Sequence, residues 1–395
     1  KKQKKILVNF EIIIRKFKLH FVKEIRSMKK LFVLFTVISF ISIFTVSAMA
    51  SEWNFYGSAR MSTFFYADDE NRGDDSDTNL GLQSNSRIGA KVKNGDVSGR
   101  FEYGTSGGNA NIRHLYATYK IPQGQILIGQ TETPVNFIIS KQAGGTKTYQ
   151  SSGINNRGGD DCMFYYGASY TGRTPMIQFS KDALKVAAVQ PKGASNLGLA
   201  GGDVDVILPR IEGSYHLDLP QGDYYADLFG GLQLYNLKGG DVDESVLSFV
   251  LGATGGGTYG PAYGKGLFYL SQNAKQYGMA TLGASSAVVS GSSVDNCMTY
   301  GLVLIGGYKV DDMISAEAGW GYAVHVLDST VVDVNGKSKD AENDGTVSFY
   351  VNAQITLAPG VMVVPEMGLV GLMDDNKGSG EGQDIYFGAK WQINF

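Results

Sequence analysis

The sequence predicts an all-β chain folded as a transmembrane antiparallel β-barrel of about sixteen strands, and three observations predict it. From Trp53 to the end, apolar and polar residues alternate with period two in stretches of about ten, the spacing at which successive side chains face opposite sides of a strand. The connections between these stretches alternate short and long, as they do where one rim of a barrel carries tight turns and the other carries loops. The composition agrees: 52 glycines, 22 tyrosines and 20 phenylalanines accompany only 9 prolines and a mean hydropathy of -0.10, which does not suit a bundle of membrane helices.

The first five strands fall near 53–66, 81–93, 96–104, 111–121 and 124–131. Asn94-Gly95 and Pro122-Gln123-Gly124 supply turn-forming residues on one side, and 67–80 and 105–110 the longer connections on the other. A long connection, 132–172, leads to strands at 173–180, 183–190, 204–218, 222–236, 244–253 and 263–273. Lys181-Asp182 and Leu219-Pro220-Gln221 are tight turns, 190–203 and 237–243 are loops, and the Gly-rich 254–261 is longer than the alternation of connections wants. The last five strands, 297–310, 312–326, 346–357, 361–373 and 384–395, are joined through 274–296, Asp311, 327–345, Ala358-Pro359-Gly360 and 374–383. The final one carries the pattern best: Ile385, Phe387, Ala389, Trp391, Ile393 and Phe395 share one face, and Asp384, Tyr386, Gly388, Lys390, Gln392 and Asn394 the other. An even strand count places both ends of the barrel on the rim of short turns, the periplasmic side in an outer membrane.

Ahead of the strands, the apolar run Leu31 to Val46 follows Met28-Lys29-Lys30, is interrupted by Ser39 and Ser42, and ends at Ala48-Met49-Ala50. This describes a secretory signal peptide at 28–50 cut after Ala50, since a membrane anchor needs about 20 apolar residues. Residues 1–27 read as an upstream extension before a start at Met28, which leaves 51–395 as the barrel. Residues 1–50 hold 11 of the 35 basic and 2 of the 38 acidic residues, so the remainder has 24 and 36 and a net charge near -12. An acidic chain argues against a nucleic-acid partner. Cys162 and Cys297 allow either one bridge or two thiols in an exported protein.

Several stretches resemble the general porins of Gram-negative bacteria: Ser86-Arg87-Ile88-Gly89 opening the second strand, Arg113-His114-Leu115-Tyr116-Ala117 in the fourth, Gly124-Gln125-Ile126-Leu127-Ile128-Gly129-Gln130 as the fifth, and the terminal Phe395. The resemblance implies a homotrimer of sixteen-stranded barrels in the outer membrane, in contact with lipid and lipopolysaccharide, whose long third loop, 132–172, folds into the lumen of a water-filled channel for small hydrophilic solutes and ions. It also implies handling by the barrel-assembly machinery, with Phe395 as the membrane-insertion signature. Two departures bear on the constriction: Gln130 stands where the family often has arginine, and the third loop lacks a Pro-Glu-Phe-Gly stretch.

In that family the third loop meets a row of basic wall residues. Here Arg60, Arg87, Arg100 and Arg113 lie on four successive strands, and alternation sets each opposite in phase to an apolar neighbour. Arginine at the lipid midplane costs roughly 2–4 kcal/mol, so all four are expected on the water side, lining a constriction, sitting at the rims, or paired with Glu102 and other lumen acids as wall support. Glu132, Asp160 and Asp161 are the loop acids that would oppose them across a transverse field, and Phe137-Ile138-Ile139 would pack the loop on the wall.

No catalytic group, cofactor or resident metal is expected. Asp68, Asp69, Glu70, Asp74, Asp75 and Asp77, and Asp340, Glu342 and Asp344, lack the spacing of a calcium loop and read as solvated acidic surface able to bind divalent ions weakly. Beyond residue 50 the histidines are His114, His216 and His325; alternation points His114 outward with Ile112 and Tyr116, and no nucleophile signature adjoins the others. Gly255-Gly256-Gly257 is not followed by the Gly-Lys-Ser/Thr of a phosphate loop. A substrate-selective channel and a plugged structural barrel are the alternatives to a diffusion channel, and the sign of ion selectivity stays open.

Overall fold

A computed structural model describes residues 51–68, 76–106, 109–145, 160–206, 208–219, 223–332 and 336–395. The signal peptide and upstream extension lie outside the described residues, as do Asp69, Glu70, Asp74 and Asp75.

Sixteen antiparallel strands close into one ring. They are β1 (Glu52–Asp68), β2 in two pieces (Ser76–Leu82 and Arg87–Asn94), β3 (Val97–Ser106), β4 (Asn109–Ile121), β5 (Gly124–Glu132), β6 (Arg173–Lys181) and β7 (Leu184–Val189). There follow β8, also in two pieces (Asp203–Val206 and Arg210–Leu219), β9 (Tyr224–Gly239), β10 (Val242–Tyr259), β11 (Ala262–Gln272) and β12 (Cys297–Lys309). The ring is completed by β13 (Ile314–Leu327), β14 (Asp344–Ala358), β15 (Val361–Leu372) and β16 (Gln383–Asn394). Each strand pairs with its sequence neighbours, and β16 returns to β1, from Asp384 opposite Asp68 to Asn394 opposite Ser58. The seam is finished by Phe395, whose N–H donates to the Gly57 carbonyl at 3.0 Å and whose carbonyl accepts the Gly57 N–H at 2.7 Å. Closure satisfies the edge that an open sheet would leave unpaired.

The two faces separate as the alternation predicts. On β16, Ile385, Phe387, Trp391 and Ile393 are about half exposed, whereas Asp384 and Tyr386 are fully buried and Lys390 and Gln392 are 8% exposed. Around the ring the same phase puts large apolar side chains on one face and polar ones on the other. No helix among the described residues is long and apolar enough to cross a membrane.

The buried apolar core lies between the polar face of the wall and the β5–β6 connection. Val135, Ile139, Ala143, Met163, Tyr166 and Ala168 of that connection join Phe64, Phe229, Leu267, Tyr269, Tyr350 and Tyr386 in one cluster, and Phe137 stacks on Phe229 at 4.8 Å between centroids. Ile138, between Phe137 and Ile139 in the chain, is 43% exposed.

The expected loops need correction at three places. Residues 254–259 continue β10, with Gly255 opposite Gly266 and Thr258 opposite Tyr263, because a glycine run leaves the ladder free to form. Residues 237–239 continue β9, so that 237–243 is a hairpin with Gly240 at φ 55°. Strand β2 begins at Ser76 and breaks at 83–86, its upper piece pairing with Met61 to Ala67 and its lower piece with Glu52 to Ser58. Cys162 and Cys297 form no bridge and are both free thiols.

Candidate functional site

On β1 to β6 a cluster of charged side chains gathers around Glu102. Glu102 is fully buried on β3, and three arginines converge on it: Arg100 Nη2 at 2.6 Å, Arg113 Nε at 2.7 Å and Arg87 Nη1 at 3.6 Å. The Tyr56 hydroxyl donates to its Oε2 at 2.8 Å and accepts from Arg100 Nε at 2.8 Å. Gly89, the register partner of Glu102, makes room for this, since a Cβ there would lie 2.8 Å from the Tyr56 oxygen.

A β-bulge on β4 completes the cluster. Glu102 pairs with His114 and Tyr103 with Ile112, so Arg113 is the extra residue, and Arg113 and His114 both turn to the polar face, 8% and 4% exposed. The expectation that His114 and Tyr116 point outward with Ile112 is therefore corrected. Beyond the bulge the phase inverts, and Leu115 and Tyr119 become the exposed apolar residues.

Around this centre lie two further ion-paired acids. Asp160 of the β5–β6 connection meets Arg60 Nη1 at 3.2 Å and Lys390 Nζ at 3.0 Å, and accepts from Asn85 Nδ2 at 3.2 Å. Glu132, at the end of β5, pairs with Arg173 Nη2 at 2.9 Å, and Arg173 Nε reaches His114 Nε2 at 3.3 Å. Asp161, beside Asp160, lies against Gly145. All four expected arginines thus share the polar face, but three gather on a wall acid and only Arg60 meets a loop acid. Arg173, Lys390, Tyr56 and His114 belong to the same cluster and were not among the expected site residues. Lys390 was legible as a water-side residue of β16, whereas no local signal marks Arg173.

Three wall carboxylates hold the connection by its main chain. Glu366 on β15 accepts the N–H groups of Ala143 and Gly144, each at 2.7 Å; Glu317 on β13 accepts that of Lys141 at 2.7 Å; and Glu212 on β8 accepts that of Val135 at 3.4 Å. Gln142 adds bonds from Nε2 to Ser348 on β14 at 2.9 Å and Tyr386 on β16 at 3.0 Å. Lys141 extends its Nζ to Gln354 Oε1 at 2.7 Å, and burial lowers its pKa from the ordinary lysine value. Burial and the Asp160 carboxylate push the Cys162 thiol well above its ordinary value. Two other connections, 190–202 and 273–296, pack beside the first. Ala280 donates its N–H to Tyr170 O at 2.8 Å, Lys192 Nζ donates to Thr171 O at 3.0 Å, and Tyr277, closing the one-turn helix α1 (Ala274–Tyr277), donates to Glu212 Oε1 at 3.0 Å.

Among the described residues no three His, Cys, Asp or Glu side chains come together as a ligand set. Glu342 pairs with Lys339, while Asp344 is buried in β14 and accepts the Ala284 N–H at 2.7 Å, so the acids at 340–344 do not converge. His216 contacts Asp227 and Asp218, and His325 contacts Thr299 and Leu282 O.

No protein-family model matches the chain, and no curated protein matches it. Solved structures do. The outer membrane channel DcaP of Acinetobacter baumannii is 17% identical with a TM-score of 0.64, over 88% of this chain and 99% of that one. The anion-selective porin from Comamonas acidovorans is 13% identical at 0.53, and OmpT of Vibrio cholerae in a trimer form is 15% identical at 0.52, each over 88% of this chain and 100% of the other. At such identities the likeness is one of architecture. The chain has the porin fold, a closed ring of sixteen antiparallel strands.

Proposed function

We propose that this protein is an outer-membrane porin, a water-filled channel through which small hydrophilic solutes and ions diffuse passively. The observation that carries the reading is the charge cluster on the polar face. Six cations, Arg60, Arg87, Arg100, Arg113, Arg173 and Lys390, surround three ion-paired carboxylates, Glu102, Glu132 and Asp160. Such a concentration of charge belongs on the inner face of a membrane barrel, away from lipid.

On this reading the β5–β6 connection lies across the lumen, held there by Glu212, Glu317 and Glu366. The constriction runs between Arg60, Arg87, Arg100 and Arg113 on the wall and Glu132, Asp160 and Asp161, and the excess of cations favours anions. The contact of the 274–285 segment with the β5–β6 connection supports a second reading, a narrower and substrate-selective channel. Export through the signal peptide at 28–50, insertion directed by Phe395, assembly as a homotrimer in lipopolysaccharide-bearing membrane, and any weak cation binding at the acidic loops belong to the proposal.

Liposome swelling tests it. Proteoliposomes are expected to swell in small sugars at rates that fall with solute size; liposomes that stay impermeable to every solute would overturn the diffusion reading, and swelling confined to one solute would favour the selective one.

A further inference from the structure

We propose that a recess on the polar face, between the charge cluster and the rim of short turns, is a binding site for the phosphate group, free or in an ester, with Lys91 and Lys93 as its cations. The recess is a cavity of about 650 Å³, lined by Lys91, Lys93, Arg100, Glu52, Thr118 and Gln125 among others.

The ladder fixes their placement. Lys91 stands opposite Arg100 and Lys93 opposite Ser98, and two residues apart on β2 the lysines share one face about 7 Å apart along the strand. Both are exposed, and neither makes an ion pair among the described residues, although Glu52 is the register partner of Lys93. Arg100 spends its charge on Glu102, yet it still stands directly across from Lys91, and like charges in that position disfavour the pairing. An anion between the strands removes that cost. A group with about two negative charges and several acceptor oxygens can meet both ammoniums at once, while the Thr118 hydroxyl and the Gln125 amide supply neutral donors. The cavity exceeds what a phosphate alone fills, leaving room for the organic part of an ester.

The consequence, retention of a phosphorylated solute below the constriction, rests on the channel reading, but the site does not. Calorimetric titration of the folded, detergent-solubilised protein with inorganic phosphate at low ionic strength tests it. Wild type is expected to bind, Lys91→Gln/Lys93→Gln to bind at least tenfold more weakly, and Lys91→Arg/Lys93→Arg to bind like wild type, with folding of each variant checked by heat-modifiable electrophoretic mobility. Absence of binding to wild type, or equal affinity in the glutamine variant, overturns the site. In planar bilayers phosphate is expected to reduce the chloride current saturably in wild type and not in the glutamine variant. A silent bilayer with phosphate still bound in the titration removes the channel reading and leaves the site standing.

Discussion

Glu366 and Gly144 meet at 2.7 Å, a buried carboxylate oxygen on β15 accepting a main-chain N–H of the β5–β6 connection, and the other oxygen of Glu366 accepts from Ala143 at the same distance. The geometry leaves no space between loop and wall. A Cβ at position 144 would fall 2.6 Å from Tyr386 Cε2 and 2.9 Å from Phe64 Cε1. The loop backbone is therefore fastened by a carboxyl group that the wall supplies.

Replacing Glu366 with glutamine leaves one carbonyl oxygen for two N–H groups and turns an NH₂ toward them. The expected outcome is a loss of about 2 kcal/mol in stability against denaturant and a larger, noisier open-channel current. Gly144→Ala is expected to move the current the same way with no change of charge, which separates steric displacement from electrostatics.

Glu102 is the shared counter-ion of Arg87, Arg100 and Arg113. Glu102→Gln leaves three guanidinium groups facing one another, and a loss of about 3 kcal/mol is expected, of the size found when a buried pair loses one partner. In a salt-gradient measurement the same variant is expected to shift the reversal potential further toward anions.

The Cys162 thiol is held protonated above its ordinary value of 9.0 by burial and by Asp160. Thiolate is the reactive form. Iodoacetamide at pH 8 is therefore expected to modify Cys162 slowly in the folded protein and at the ordinary thiol rate after unfolding, with the folded rate still climbing above pH 9, where an ordinary thiol levels off. Mass spectrometry of the alkylated chain checks this, and electrophoresis with and without reductant is expected to give the same band.

Phe395 closes the ring through two main-chain bonds to Gly57. Removing Phe395 frees both Gly57 groups at the seam and takes away the aromatic terminus. The expected outcome is a marked fall in the heat-modifiable, folded fraction recovered from membranes, whereas Phe395→Tyr is expected to keep it.

The strands are legible because a wall with one apolar and one polar face imposes period-two alternation, and it survives along β16 residue by residue. The boundaries failed where glycine removes the signal: Gly255, Gly256 and Gly257 carry no side chain to alternate, so a strand read as a loop. His114 failed for a different reason. Strict alternation from Ile112 gives the wrong phase, because the large apolar residues exposed on that strand are Ile112, Leu115 and Tyr119, and the step of three between the first two is the mark of the bulge at Arg113. The arginine row could be read because each arginine has an apolar neighbour that fixes its phase. Arg100 and Glu102, two residues apart on one face of β3, make their pairing legible, but the convergence of Arg87 and Arg113 on the same acid depends on how β2 to β4 stagger, which no local pattern encodes, and the same holds for Arg173 and for the hold of Glu366 on the β5–β6 connection.

The reversal potential across a planar bilayer under a potassium chloride gradient tests the central claim most directly. Wild type is expected to give ohmic steps with a reversal potential displaced toward anions, and Arg87→Gln/Arg113→Gln to bring that potential toward zero and alter the step size. A silent protein, or steps whose size and reversal potential are the same in wild type and double variant, would contradict the account.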